Sequence, residues 1–223
     1  MKADRNKVLL ELSGVPILLR TLRRFSAVPA VAELIVVVAR DEIAFVEGML
    51  EKAQGLKPWR AVQGGAERQY SIANGMAHLA ADADIVLVHD AARPLVSLAA
   101  IEAVISAARE KGAAIAAVRA KNTIKVVGED GRVEATPSRA SLWEVQTPQG
   151  FRREILQRAY EKAAQDGFLG TDDASLVERI GEAVFVVESD YGNLKITTPE
   201  DLWMAEALLA HPAGIADEMK VTI

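Results

Sequence analysis

Apolar residues in this chain come in short, nearly unbroken runs separated by longer stretches of helical period. The runs are "LIVVVA" (34–39), "DIVLVHD" (84–90), "AAIAAV" (113–118) and "VFVVE" (184–188). Strands buried on both faces read this way, which predicts a mostly parallel sheet. Between them, residues 66–81 place Ile72, Met76 and Leu79 on one helical face, and residues 98–111 and 152–165 repeat the pattern. Alternation of this kind predicts an α/β fold with a doubly wound sheet and helices on both faces.

Residues 122–149 break the alternation. Two strand-like runs flank "GEDG", a turn signal, and no helical pattern intervenes. One hairpin alone is marginal. Packing against a second copy of the chain would bury its apolar residues, so an arm over about 121–146 is expected to form a homodimer. The alternative is a hairpin folded back on its own domain. With no repeat, low-complexity segment or linker, the expected organisation is a single domain over 1–223 carrying an arm.

Composition narrows the function. The 223 residues are 50% hydrophobic and 26% charged, with a formal net charge of −5. That balance argues against a general nucleic-acid binder. It leaves room for an anionic small substrate, because local arginines and lysines can override the global sign. With no cysteine, disulfides, thiolate metal sites and a cysteine nucleophile are excluded. No apolar run approaches the ~20 residues of a membrane span, and the opening "MKADRNK" is polar. No membrane partner and a cytoplasmic location are expected.

Candidate chemistry gathers at element ends. Ligands of a parallel sheet bind beyond the carboxyl ends of its strands, and Asp90 ends the run 84–90. A carboxylate there can hold Mg²⁺, and Arg93 offers a planar fork to phosphate oxygens. Asp90 could instead cap the next turn with Arg93 as its ion partner, and His89 reads as structural. In "QGGAERQYSIANG" (63–75), a glycine pair before a helix suggests accessible backbone N–H groups, with Arg68 and Ser71 within reach of a nucleotide. Thr147 precedes a proline expected to set a turn. Thr171 is the expected N-cap of a helix whose first turn holds Asp172 and Asp173. Thr198 and Pro199 begin the last helix, and Lys195 lies just upstream.

"VHDAARP", "QTPQGF", "TDDASLVE" and "NLKITTPEDL", in this order and spacing, resemble the 2-C-methyl-D-erythritol 4-phosphate cytidylyltransferases of the non-mevalonate isoprenoid pathway. The resemblance covers essentially the whole chain. It implies a Rossmann-like nucleotidyltransferase fold dimerised through a β-arm. The reaction it implies joins the 4-phosphate of methylerythritol phosphate to the α-phosphorus of CTP with release of pyrophosphate, assisted by Mg²⁺ or another divalent cation. By the same resemblance, Lys7 in "DRNKVLL" and Lys195 are the catalytic lysines, and Asp90 binds metal and substrate. Gly65, Arg68, Ser71 and Ala91 serve the nucleotide. Arg93, Thr147 and Thr171 line the substrate side, and Thr123 and Arg139 on the arm reach the neighbouring subunit's substrate phosphate.

The family normally opens with a buried strand and a glycine-rich loop, roughly "AAGxGxRM". Met1 matches the Met of that pattern, and the sequence holds neither the strand nor the loop with its arginine. Met1 is therefore expected to be an internal methionine of a longer chain. Were it the natural start, two strand edges would stand unpaired. Unsatisfied buried backbone groups at ~1–3 kcal/mol each would then consume a stability of ~5–15 kcal/mol, and weak turnover with poor solubility would follow. A ribitol 5-phosphate cytidylyltransferase is the nearest rival, against which Ala91 and Ala92 weigh. A non-catalytic homologue that only binds nucleotide and dimerises is the other.

Overall fold

The computed structural model describes residues 6–211; Met1 and its place in the glycine-rich pattern lie outside them. A 3-10 turn at Lys7–Leu9 leads into a tight hairpin of β1 (Glu11–Leu12) and β2 (Val15–Pro16). Gly14, at φ 74°, takes a left-handed turn conformation that a side chain would strain. Helix α1 (Ile17–Ser26) follows and buries Ile17, Leu18, Leu22 and Phe25. Then come β3 (Leu34–Val38), α2 (Ile43–Leu50), β4 (Trp59–Gln63) and α3 (Arg68–Met76). Strand β5 (Ile85–Val88) and helix α4 (Leu98–Lys111) come next. Ser97 caps α4 by accepting from the Ala100 N–H, and Gly112 ends it at φ 97°.

Strand β6 (Ala113–Arg119) runs out to a small hairpin, β7 (Val126–Val127) and β8 (Val133–Ala135). The chain returns along β9 (Trp143–Arg152). Helices α5 (Arg153–Asp166) and α6 (Asp173–Arg179), strand β10 (Phe185–Glu188) and helix α7 (Pro199–Ala210) complete it. Each apolar run of the sequence forms a strand within two residues of its expected ends. Helix α3 stops at Met76 rather than 81: Asn74 and Gly75 are weak helix formers, and the His78 N–H closes a tighter turn on the Gly75 carbonyl.

The sheet is mixed rather than mostly parallel. It has four strands in the order β10-β6-β9-β5, with β10 parallel to β6 and β9 antiparallel to both neighbours. The reason is topological: β9 is the return limb of the excursion that leaves β6, so Trp143 pairs with Arg119. Its alternation of Glu144, Gln146, Thr147 and Gln149 with apolar residues hid it among the arm residues in the sequence. Strands β3 and β4 form a parallel pair. Among the described residues β3 pairs only with β4, and β5 only with β9.

Three apolar clusters hold the layers together. The first packs α1, β3 and α2 against Ile101 and Ile105 of α4, with Leu87 of β5 against it. The second joins β5, β6 and β9 to α5 and α6 around Phe151 and Leu156. The third is small: Leu12, Ile17, Ile196 and Ala205, with Leu10, Leu95 and Leu194 beside them. It brings the first hairpin, the segment after β10 and α7 to one place. No described helix is long and apolar enough to cross a membrane.

Candidate active site

Asp90 stands just beyond the carboxyl end of β5, where four buried or half-buried apolar residues deliver it. The Arg93 N–H donates to the Asp90 carbonyl at 2.9 Å and closes the turn. The Asp90 N–H donates to Thr147 Oγ1 at 3.0 Å. Thr147 does not set a turn, as its proline had suggested. Pairing of β9 passes from Gln149 opposite Ile115 to Val145 opposite Ala117, so Gln146, Thr147 and Pro148 bulge between. A proline is tolerated at such a bulge because no ladder donor is needed there, and the bulge aims Thr147 at the end of β5. The Thr147–Pro148 peptide is cis.

His89 is structural. Its ring tilts against Phe25, centroids 4.6 Å apart. Its Nε2 lies 3.2 Å from the Arg93 carbonyl and its Nδ1 3.0 Å from Thr147 Oγ1. A carbonyl only accepts, so Nε2 carries the proton and the Thr147 hydroxyl donates to Nδ1, leaving a lone pair for the Asp90 N–H. Burial pushes the imidazole down to about 4, so the ring is neutral near pH 7.

Three cations surround the Asp90 carboxylate. Lys195 Nζ is 2.9 Å from Oδ2, Arg93 Nε 3.6 Å from Oδ2 and Arg68 Nε 4.0 Å from Oδ1. Burial alone would raise the Asp90 carboxyl, but the hydrogen bond and charge of Lys195, with the two arginines, outweigh it and hold it below its ordinary value. Burial outweighs the Asp90 charge at Arg93 and draws the guanidinium below its ordinary value as well, and it remains charged. Locally, positive charge exceeds negative despite the acidic chain, and such a cluster favours a polyanionic ligand.

Arg68, the first residue of α3, also donates to Asp173 Oδ2 at 2.7 Å. Asp173 is fully buried and accepts a second bond, 2.5 Å, from the Tyr160 hydroxyl. Burial would lower Arg68, but Asp173 and then Asp90 outweigh it and raise the group. Burial and the Asp173 charge push the Tyr160 phenol far above its usual value. Thr171 lines a pocket with Arg68, Gln69, Tyr160 and Asp173.

The N-cap of α6 is Asp172, not Thr171. Asp172 Oδ1 accepts from the Ser175 N–H at 2.9 Å in a reciprocal capping box, while Oδ2 accepts from Gln149 Nε2 at 2.7 Å. The buried Gln149 amide also accepts from the Ala174 N–H. These bonds place the first turn one residue later and leave Thr171 exposed.

The glycine pair differs from expectation too. The Gly64 N–H donates to the Val38 carbonyl and the Gly65 N–H to Ser71 Oγ at 3.0 Å. Both donors are thus used within the chain, and the loop is held against the first turn of α3. A Cβ on Gly65 would stand 2.5 Å from Tyr70 Cβ. Ala91 is half-buried, its carbonyl accepting from Thr21 Oγ1 at 2.8 Å.

Asp90, Arg93, Lys195, Arg68 and Thr147 therefore converge. Lys7 sits exposed on its 3-10 turn, without an ion pair to Asp90. Thr123 and Arg139 are exposed on the arm, where Arg139 Nη1 donates to the Lys121 carbonyl at 2.7 Å. Sequence reasoning missed the roles of Asp173, Tyr160, Gln146, Gln149 and Asn193. The one available signal was two glutamines and a threonine inside an otherwise apolar segment, "VQTPQGF". Among the described residues no three His, Cys, Asp or Glu side chains cluster for a metal. Asp90 as a lone carboxylate suits a hard cation that takes its other ligands from phosphate and water.

A sequence model of the 2-C-methyl-D-erythritol 4-phosphate cytidylyltransferase (IspD) family matches residues 1–211. The enzyme of that name from Bacillus pumilus (strain SAFR-032) is 47% identical over 215 residues, 96% of this chain and 93% of its own. That from Geobacillus kaustophilus (strain HTA426) is 48% identical over 211 residues, 94% and 91% of the two chains. The fold is similar to the crystal structure of 4-diphosphocytidyl-2C-methyl-D-erythritol synthase from Anaerococcus prevotii DSM 20548, with TM-score 0.85, 35% identity and coverage of 91% and 93%. The crystal structure of the Thermus thermophilus cytidylyltransferase gives TM-score 0.78 at 34% identity, covering 92% and 93%.

Proposed function

This chain belongs to the 2-C-methyl-D-erythritol 4-phosphate cytidylyltransferase family, and on that premise we propose that its cytidylyl transfer takes place at the Asp90 cluster. The enzyme transfers the cytidylyl group of CTP to 2-C-methyl-D-erythritol 4-phosphate. An oxygen of the 4-phosphate bonds to the α-phosphorus, the bond to the β-phosphate breaks, and pyrophosphate leaves. The products are 4-diphosphocytidyl-2-C-methyl-D-erythritol and pyrophosphate.

Two anions must be brought in line, and negative charge on the α-phosphoryl oxygens must be stabilised as the bond exchange proceeds. The observation that carries the assignment is the convergence of Lys195, Arg68 and Arg93 on one carboxylate. Lys195 Nζ spends one donor on Asp90 and has others for the α-phosphate and the incoming phosphate. Arg68, fixed by Asp173, holds the nucleotide beside Gly65, Ser71 and Ala91. Arg93, Thr147 and Thr171 line the substrate side. Lys7 serves the triphosphate from the 3-10 turn before the first hairpin, a turn whose Val8 and Leu9 pack on the first apolar cluster. Asp90 would hold Mg²⁺, which when bound neutralises phosphate charge.

The arm supports a homodimer. Ile124, Val126, Val127 and Val133 are 41–53% exposed on it, apolar surface that a second copy would cover. In that dimer Thr123 and Arg139 reach the partner's substrate phosphate. The edges of β3 and β5 that are unpaired among the described residues, joined by one apolar cluster, suit a further strand between them, where the family's glycine-rich loop would begin. Pyrophosphate release from CTP, measured with methylerythritol phosphate and with ribitol 5-phosphate in turn, tests the reading. Turnover only with the first is expected; equal or greater turnover with the second would overturn the substrate.

A further inference from the structure

Asn193 is buried completely, its Oδ1 without a hydrogen-bond partner among the described residues, so the side chain is held through its two amide donors. Its Nδ2 donates to Gln146 Oε1 and to the Thr147 carbonyl, both at 2.9 Å. Its own N–H donates to Asp190 Oδ1 at 3.1 Å, and Gln146 Nε2 donates to the Asp190 carbonyl at 3.2 Å. Its carbonyl accepts from Arg93 Nη1 at 2.7 Å. Two residues on, Lys195 reaches Asp90, and the Ile196 N–H is tied to the Ala92 carbonyl at 2.8 Å.

Thr147 is thus a shared reference point. Its hydroxyl receives the Asp90 N–H, and its carbonyl receives the Asn193 amide. The segment bearing Lys195 and the turn bearing Asp90 are measured from the same residue, from its two ends. Nothing in an exposed lysine's own packing would hold it there: the Lys195 side chain is 43% exposed.

We propose that Asn193 is a positioning residue that fixes Lys195, and through its carbonyl Arg93, against Asp90 by anchoring their segment to the bulge of β9. Its side-chain bonds go to Gln146 and Thr147, so it acts through Lys195. The inference rests on Lys195 acting in the chemical step. Displacement of such a group by about 1 Å can cost on the order of a hundredfold in rate, so the effect of losing the anchor should fall on kcat.

The test is a double-mutant cycle on the full chain with CTP and methylerythritol phosphate. Asn193→Ala and the nearly isosteric Asn193→Asp, which loses both amide donors, are each made alone and with Lys195→Ala. Alone, each is expected to lower kcat about tenfold or more with the KM for CTP nearly unchanged. In the Lys195→Ala background the same changes should lower kcat by less than about threefold, because the group being positioned is gone. Equal losses in both backgrounds would overturn the proposal, as would a loss of kcat no larger than the loss of folded protein seen by circular dichroism. If Asn193→Ala does not fold, Asn193→Asp and Gln146→Ala, which removes only one partner of the amide, decide by the same criterion. If Lys195→Ala alone leaves kcat intact, the role of Lys195 fails, an outcome separate from any result at Asn193.

Discussion

Lys195 Nζ lies 2.9 Å from Asp90 Oδ2, an ion pair that joins the segment after β10 to the turn after β5. Each partner is held by backbone bonds as well as by charge: Asp90 through Thr147, the lysine's segment through Ala92. An ion pair so placed fixes the lysine and the carboxylate relative to each other before any ligand binds. Removing the carboxylate with Asp90→Asn is expected to lower kcat at least about a hundredfold. It should also weaken the dependence of rate on Mg²⁺, read as initial rate against metal concentration.

His89 ties stability to pH. Its imidazole titrates near 6.5 in the unfolded chain and is pushed down to about 4 by burial. The unfolded state therefore binds a proton that the folded state refuses, and the contribution of the neutral ring is complete above about pH 6.5. It is lost as pH falls toward about 4, a change on the order of 3 kcal/mol. Urea midpoints of the wild type should fall more steeply from pH 7.5 to pH 5 than those of His89→Gln. Parallel curves would count against a buried neutral ring.

Tyr160→Phe takes one donor from the buried Asp173 and loosens the partner of Arg68. A cost of about 1–3 kcal/mol in unfolding free energy is expected. If Arg68 binds rather than transforms the nucleotide, the KM for CTP should rise by more than kcat falls. Chemical denaturation and initial-rate kinetics read both.

Gly65→Ala puts a methyl 2.5 Å from Tyr70 Cβ, so the loop must move away from α3. Overpacking of this kind costs about 1–3 kcal/mol. A several-fold higher KM for CTP, with kcat at saturation largely kept, is the expected kinetic result.

If Arg139 serves the neighbouring subunit, Arg139→Ala and Lys195→Ala proteins are each poorly active alone. Mixed under subunit exchange they should recover part of the activity, since one site of the heterodimer has an intact lysine and an intact arm. Sedimentation velocity would establish the dimer. No recovery in demonstrated heterodimers would restrict the arm to its own chain.

Strands β3, β5 and β6 and helix α4 were legible because each pairs a local period with clear ends, such as Ser97 and Gly112. Strand β9 was not, because its central residues turn polar groups inward to a network no period encodes. Asp90, Arg93 and Lys195 stood out as charged groups beside apolar runs. Asp173 read only as a first-turn acid, because its partners Arg68 and Tyr160 come from other helices. The capping error at Thr171 has the same origin. A threonine and an aspartate compete locally, and the contact that selects Asp172 comes from Gln149 on β9.

The most direct test of the account is the rate of pyrophosphate release from CTP and methylerythritol phosphate by Lys195→Ala. A loss of about a hundredfold or more in kcat, with the wild-type melting temperature and KM for CTP nearly kept, is predicted. Wild-type kcat in the variant would contradict the placement of cytidylyl transfer at the Asp90–Lys195 pair.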